Sequence, residues 1–182
     1  TLRIDLANDP IVPEVVYQLG RIAIETQQYD EAIAEFQNVV DAGLESLAPN
    51  AQFGIAQAFF AQGKYEESIS AYERTIDNYP KSVVAQDACF YIGWAYQRMG
   101  KHDEAIIQLE EAIEDFPRNE NASNSLVFIA QIYYGQKNPD GAIEAYRKVV
   151  DNKDNFSYDM RRSALYWIGK IYEEEGDSDQ AI

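Results

Sequence analysis

The sequence is poor in the residues from which reactive centres are built. Its 182 residues hold one cysteine and one histidine. A single cysteine excludes an intramolecular disulfide and any metal site built on several thiolates. Cys89 stands at a helical core position, where a buried, inert thiol is expected. His102 has no second histidine and no nucleophile in pattern with it, so it reads as a partly exposed packing residue rather than a catalytic base. There is no phosphate loop, no Gly-x-Ser-x-Gly and no His-Glu-x-x-His. The chain is therefore expected not to be an enzyme, and neither a cofactor nor a metal is expected.

Positive charge is also scarce. Fifteen Lys and Arg face 31 Asp and Glu, a net charge of −16. Nucleic-acid backbones need clustered basic residues, so no nucleic-acid partner is expected, and the same charge disfavours an anionic membrane surface. A solvated acidic exterior keeps a long chain soluble, and the remaining electrostatic preference is for a basic partner. No apolar run approaches the ~20 residues of a membrane span. The start, Thr1-Leu2-Arg3, lacks a signal-peptide layout, which leaves the compartment open. No Gly/Ser linker or low-complexity tract marks an internal boundary, so one domain over 1–182 is expected.

The acidic residues that are present form no site. Glu110-Glu111, Glu114-Asp115 and Glu173-Glu174-Glu175 are adjacent or helical-neighbour carboxylates, the pattern of a solvated face. Asp151-Asn152-Lys153-Asp154-Asn155 is rejected as a calcium loop, because Lys153 occupies the third ligand position and no Gly the sixth. Asn121-Ala122-Ser123 and Asn155-Phe156-Ser157 are formal glycosylation sequons, meaningful only in a secreted eukaryotic protein.

What dominates is repetition. Gly63 to Pro80, GKYEESISAYERTIDNYP, returns as Gly100 to Pro117, GKHDEAIIQLEEAIEDFP. Weaker copies run through Tyr29 to Ile33, Asn138 to Ile143 and Asp177 to Ile182. Their small residues, Ala32, Ser68, Ala105, Ala142 and Ala181, are 36, 37, 37 and 39 apart. A period of this size signals stacked helical repeats. Within each copy the apolar residues recur at three and four, the spacing of one helix face.

Gly and Pro punctuate the pattern. Helices are expected at about 11–27, 30–43, 50–62, 65–79, 82–99, 102–116, 121–136, 139–152 and 160–175, with a tenth barely begun at Ile182. Asp30 is the expected N-cap of the second, Gly43 its stop, and Asp151 to Asp159 a polar connection. The units run 11–46, 47–80, 81–117, 118–156 and a partial 157–182, preceded at 1–10 by the end of another repeat. Both ends then expose cut faces. Leu165, Ile168 and Tyr172 are expected partly bare, with end-to-end self-association as the consequence.

These units resemble the tetratricopeptide repeat. That family places a large residue, then Leu-Gly or Leu-Ala, then Tyr on a first helix, and Ala, an aromatic, Ala and a closing Pro on a second. In the third unit the matches are Cys89, Ile92-Gly93, Tyr96, Ala105, Leu109, Ala112 and Pro117; in the second, Gln52, Ile55-Ala56, Phe59, Ser68, Tyr72, Thr75 and Pro80. The first and fourth units lack the Pro. The resemblance covers essentially the whole chain and implies an all-α fold: an α-solenoid, a right-handed superhelix of antiparallel helix-turn-helix units. Gly20, Ala56, Gly93, Ala130 and Gly169 then lie where the helices of a pair approach most closely. The lengthened period, with Tyr79-Pro80-Lys81-Ser82, is similar to bacterial envelope proteins, the Tol-Pal-associated cell-division coordinator and BamD-type lipoproteins. That likeness implies the periplasm, with the cytoplasm as the alternative.

The resemblance further implies a non-enzymatic scaffold that binds a peptide or protein segment in the concave groove lined by the first helices. The alternative is a structural spacer that positions another domain. Counting the early large residue as the fourth position, ligand-facing residues fall at the fifth, ninth, twelfth and thirteenth. These are Tyr17, Phe53, Phe90, Val127 and Tyr166; Arg21, Gln57, Trp94, Gln131 and Lys170; and Ile24, Glu25, Phe60, Gln97, Arg98 and Tyr134. The fifth-position stripe has a second reading, packing between neighbouring first helices. Trp94, Phe60 and Tyr134 are expected on a face the core does not need, where aromatics anchor a peptide and glutamines bond its backbone. Trp94→Ala is expected to weaken binding by ~2 kcal/mol and barely change thermal stability. The expected partner is an extended segment with apolar anchors and basic residues.

Overall fold

The structure, a computed structural model, describes residues 11–116 and 120–177, with the backbone alone at 120, 122 and 123. Its helices are α1 (Ile11–Glu25), α2 (Tyr29–Asp41), α3 (Ala48–Ala61), α4 (Tyr65–Asn78), α5 (Val83–Arg98), α6 (His102–Asp115), α7 (Glu120–Gly135), α8 (Pro139–Asp151) and α9 (Tyr158–Glu174). Among the described residues no strand occurs. The fold is all-α and built of helical repeats. The nine helices expected within the described residues are present, with each end within about two residues of its expected place. The segment 1–10, Pro117 and the start of a tenth helix lie outside the described residues. The chain divides into two compact units, Thr1–Met99 and Gly100–Ile182.

The turn inside each repeat has one construction. Gly63 follows α3 at φ +76°, and the Lys64 amide donates across it to the Phe59 carbonyl at 3.0 Å. This satisfies a carbonyl that the helix end leaves bare. The same left-handed place is filled by Gln27 (φ +62°), Gly100 (+76°), Lys137 (+57°) and Gly176 (+80°). Two repeats thus hold a side-chain-bearing residue where glycine is cheapest.

That turn also displaces the expected cap of α2. The helix starts at Tyr29, its cap position is Gln28, and no side chain bonds there. Asp30 sits inside the first turn, where its carboxylate accepts from the Gln62 amide at 2.7 Å. Side-chain caps occur instead at Ser82, Asn138 and Ser157, which accept from the amides of Ala85, Gly141 and Met160.

In the first unit, α1 to α5 pack in chain order. Ser68 is fully buried and its hydroxyl donates to the Ala56 carbonyl at 3.0 Å, so the small-residue contact expected between paired helices is present. Phe36 of α2 fills the space between two backbones. A methyl group added at Gly20 of α1 would come within 2.8 Å of its ring, and one at Gly54 of α3 within 2.7 Å. Both positions therefore demand glycine for close approach.

In the second unit, α6 to α9 pack in the same order around Leu109, Ile129, Tyr146, Val149 and Ile171, all buried. The connection before α9 is less polar than expected. Phe156 is buried in it, and the Arg161 side chain reaches back to the Val150 carbonyl at 3.0 Å. On α9 Leu165 is exposed, as expected, but Ile168 is only 9% exposed, since it faces inward with Ile171. Tyr172 is half-buried, and its hydroxyl accepts from Arg147 at 2.7 Å.

Candidate functional site

Six of the expected ligand-facing residues line one cleft. Tyr17, Arg21, Ile24 and Glu25 of α1 and Phe53 and Gln57 of α3 surround a space of about 300 Å³, with Phe36, Asn50, Gly54 and Val84 completing it. The local reason is helical geometry. Residues 17, 21 and 24 recur at four and three, so they share one face of α1, and 53 and 57 share one face of α3. The floor is aromatic: the Tyr17 ring lies 5.6 Å from that of Phe36. Burial raises the Tyr17 hydroxyl above its ordinary range, and the neighbouring Arg21 opposes this. The rim is polar and open. Arg21, Glu25 and Gln57 are exposed and Asn50 half-buried, offering both donors and acceptors to a bound main chain.

Phe53 corrects the expectation in part. Its ring is 9% exposed, held 5.2 Å from Tyr72 and 5.4 Å from Tyr91, so it belongs to the core and only backs the cleft. At this position the packing reading prevails, because α4 and α5 both place a tyrosine against the same ring.

Phe60 and Trp94 also depart from the face expected to be free of the core. Trp94 is half-buried, with its ring 5.2 Å from Phe60, 5.7 Å from Tyr91 and 6.4 Å from Phe90. Phe60 packs against the buried core of this unit and against Tyr65 at 5.3 Å. Arg98 lies over the Tyr65 ring at 6.0 Å and donates to its hydroxyl at 3.3 Å. Gln97 is half-buried on the same helix. The centre of this cluster is a stack that the sequence did not reveal: Tyr72 and Tyr91 lie 5.7 Å apart at 19°. Burial drives the Tyr72 hydroxyl far above its ordinary range, with a smaller push from Tyr91.

The second unit repeats the arrangement with other chemistry. Tyr146 and Trp167 stack at 6.4 Å and 5°. Tyr134 packs on Trp167 at 5.8 Å and donates its hydroxyl to Glu174 at 2.7 Å, a bond that raises its pKa. Lys170 places its ammonium 4.8 Å from the Trp167 ring centre and 3.7 Å from the Glu174 carboxylate. Tyr166 is exposed and meets the edge of Trp167 at 6.0 Å. Gln131 is exposed, and Val127 half-buried, on α7. Trp167 and Tyr91 both hold the sixth position, one residue past the stripe counted in the sequence. Their signal was an aromatic beside an aromatic, Tyr166-Trp167 and Phe90-Tyr91.

Among the described residues no three His, Cys, Asp or Glu side chains are placed to hold a metal, and no helix is long and apolar enough to cross a membrane.

Comparison with known proteins agrees with the repeat register. A tetratricopeptide repeat family model matches residues 17–83 and 129–182, and a second of the same description matches 87–155. No curated protein matches. Among solved structures, a protein of the kinesin light chain type with nearly identical TPR-like repeats, from Podosopora anserina, is 19% identical. It superposes with a TM-score of 0.68 over 96% of this chain and 92% of its own. BtubC from P. vanneervenii is 16% identical, with a TM-score of 0.73 over 95% and 78%. MamA is 21% identical, with a TM-score of 0.65 over 93% and 85%. At these identities the likeness is one of fold.

Proposed function

Because the chain belongs to the tetratricopeptide repeat family, whose arrays are non-catalytic protein-interaction scaffolds, we propose that it holds an extended segment of a partner protein in the cleft between α1 and α3. The observation that supports this is that six residues expected to face a ligand line one cleft, Phe53 from behind, with an aromatic floor and an open polar rim. An apolar side chain of the segment rests against Tyr17 and Ile24. Gln57 and Asn50 bond its main chain, which is how a groove reads a peptide without fixing its whole sequence. Glu25 and the net charge of −16 favour lysine or arginine beside that anchor. Trp94, Phe60, Gln97 and Arg98, on α3 and α5 of the same unit, supply a second contact region. The longer period keeps a place in the bacterial envelope as part of this reading.

A photo-crosslinking residue at Gln57 tests it, with one at Gln37 on α2 as the control. The expected result is a single partner segment, apolar and basic, attached at 57 and not at 37, and lost on Arg21→Ala with Tyr17→Ala. Equal labelling at both sites, or labelling unchanged by those substitutions, would leave only a spacer.

A further inference from the structure

The cleft between α1 and α3 does not share the acid excess of the chain. The whole sequence holds 15 basic and 31 acidic residues, but the charged residues lining the cleft are Arg21 and Glu25, one of each sign. Both are exposed, and they stand four residues apart on α1, about 6 Å along its axis. Beside them on the same helix, Tyr17 and Ile24 are half-buried against the core. The rim therefore carries a plus and a minus in a fixed order, with apolar surface below.

The two charges are not spent on each other. Among the described residues no ion pair joins them. The Arg21 guanidinium donates instead to the Gln18 side-chain oxygen at 3.3 Å, and the Gln18 amide donates to Glu14 at 3.0 Å. A basic residue one turn before an acidic one is the weaker order for a helical pair, because each charge then sits toward the wrong end of the helix dipole. One contact leaves most of the guanidinium N–H groups for a ligand. The Arg21 charge is also felt inside the cleft, where it opposes the rise of the Tyr17 hydroxyl.

We propose that the segment held in this cleft carries an acidic and a basic side chain two residues apart, with an apolar residue between them, the acid taken by Arg21 and the base by Glu25. This rests on the reading of the cleft as a peptide groove and adds the charge pattern of the peptide. In an extended chain residues i and i+2 point to the same side, about 6.6 Å apart, and i+1 points to the other. That separation matches two rim charges one helical turn apart, while the residue between turns down onto Tyr17 and Ile24. A segment with bases at both places would set one of them beside Arg21, and like charges side by side select against a partner.

The test selects a phage-displayed library of random heptapeptides on the 182-residue chain and on Arg21→Glu/Glu25→Arg, which exchanges the two charges. Both positions are exposed, and circular dichroism checks that the exchanged chain folds. The expected result is an acid–apolar–base triplet in one order on the native chain and in the opposite order on the exchanged one. Each selected peptide should bind its own chain about tenfold tighter than the other, a preference that shrinks in 1 M salt. Arg21→Gln by itself should end selection for the acid and keep that for the base, and Tyr17→Ala should lose the binders altogether. Apolar enrichment without the charge pair, lost on Tyr17→Ala, overturns the charge pattern and leaves the cleft reading standing. A doubly basic triplet overturns the pattern too, as does a charge order that the exchange leaves unchanged. Binders indifferent to Tyr17→Ala, or no binders at all, overturn the cleft reading and this inference with it.

Discussion

The α4–α5 contact of the first unit and the α8–α9 contact of the second are the same piece of architecture in two chemistries. Each is centred on a second-helix tyrosine stacked against the next first helix, Tyr72 on Tyr91 and Tyr146 on Trp167. Around the first stack stand more rings, Phe53, Phe60 and Trp94. Around the second, the places of Phe60 and Trp94 are held by Tyr134 and Lys170, and the contacts become Tyr134 to Glu174, Lys170 over Trp167, and Arg147 to Tyr172. The repeat backbone fixes where side chains meet. It does not fix whether they meet by apolar burial or by hydrogen bonds and charge.

The largest consequence is at Trp94 and Lys170. Trp94→Ala removes a half-buried ring with three aromatic neighbours and should cost about 2–3 kcal/mol, somewhat below the figure for a fully buried aromatic. Lys170→Ala loses a partly exposed cation–π contact and should cost about 0.5–1 kcal/mol. Hydrogen exchange resolves the two, because helical arrays open locally and a single melting temperature would merge the units. Equal losses would break the comparison. The result also bears on the expectation that Trp94 could be removed at little cost to stability, which its packing contradicts.

The second consequence appears in alkali. Burial pushes the Tyr146 hydroxyl up to about 12, and the more deeply enclosed Tyr72 further. In the unfolded chain a tyrosine titrates near 10. The folded state therefore retains a proton that the unfolded state has given up. Stability is fully present below pH ~10 and falls as pH rises toward the folded value. Denaturant titrations between pH 9 and 12 should show this decline. Tyr146→Phe should flatten it in the second unit, and Tyr72→Phe should flatten it more in the first. No change from either would mean that these hydroxyls reach water in the native state.

The turns sharpen the comparison at a smaller scale. Gly63 and Lys137 occupy the same left-handed place, at φ +76° and +57°. Gly63→Lys should destabilise the first unit by about 1 kcal/mol, and Lys137→Gly should stabilise the second by somewhat less, since glycine also loosens the unfolded chain. Urea midpoints read both. Smallest is the salt response. Tyr134→Phe should cost about 0.5 kcal/mol, and 1 M salt should weaken protection of α9, which carries the ionic contacts Lys170–Glu174 and Arg162–Asp159.

The helices were legible because their boundaries are local matters. Gly63 and Gly100 mark left-handed turns and Pro139 a first helical turn, and the three-and-four spacing of apolar residues needs no distant contact to be read. The left-handed Gln27 and Lys137 were not legible, since neither residue type favours that conformation and the closed turn imposes it. Asp30 looked like a cap for the same reason: the sequence shows a carboxylate at a helix start but not that the helix begins one residue earlier.

The candidate site divides along the same line. The sequence by itself determined the repeat register, for which periodicity and helical geometry suffice; that Tyr17, Arg21, Ile24, Glu25, Phe53 and Gln57 belong to one groove was implied by the resemblance to the tetratricopeptide repeat. Only the tertiary structure decided that Phe53 is core while Tyr17 fronts a cleft, and that Gly54 exists to admit Phe36. Burial is a property of what lies across the gap, and in a stacked array that is another helix some thirty residues away in sequence or in another chain, which the residue's own neighbours do not encode.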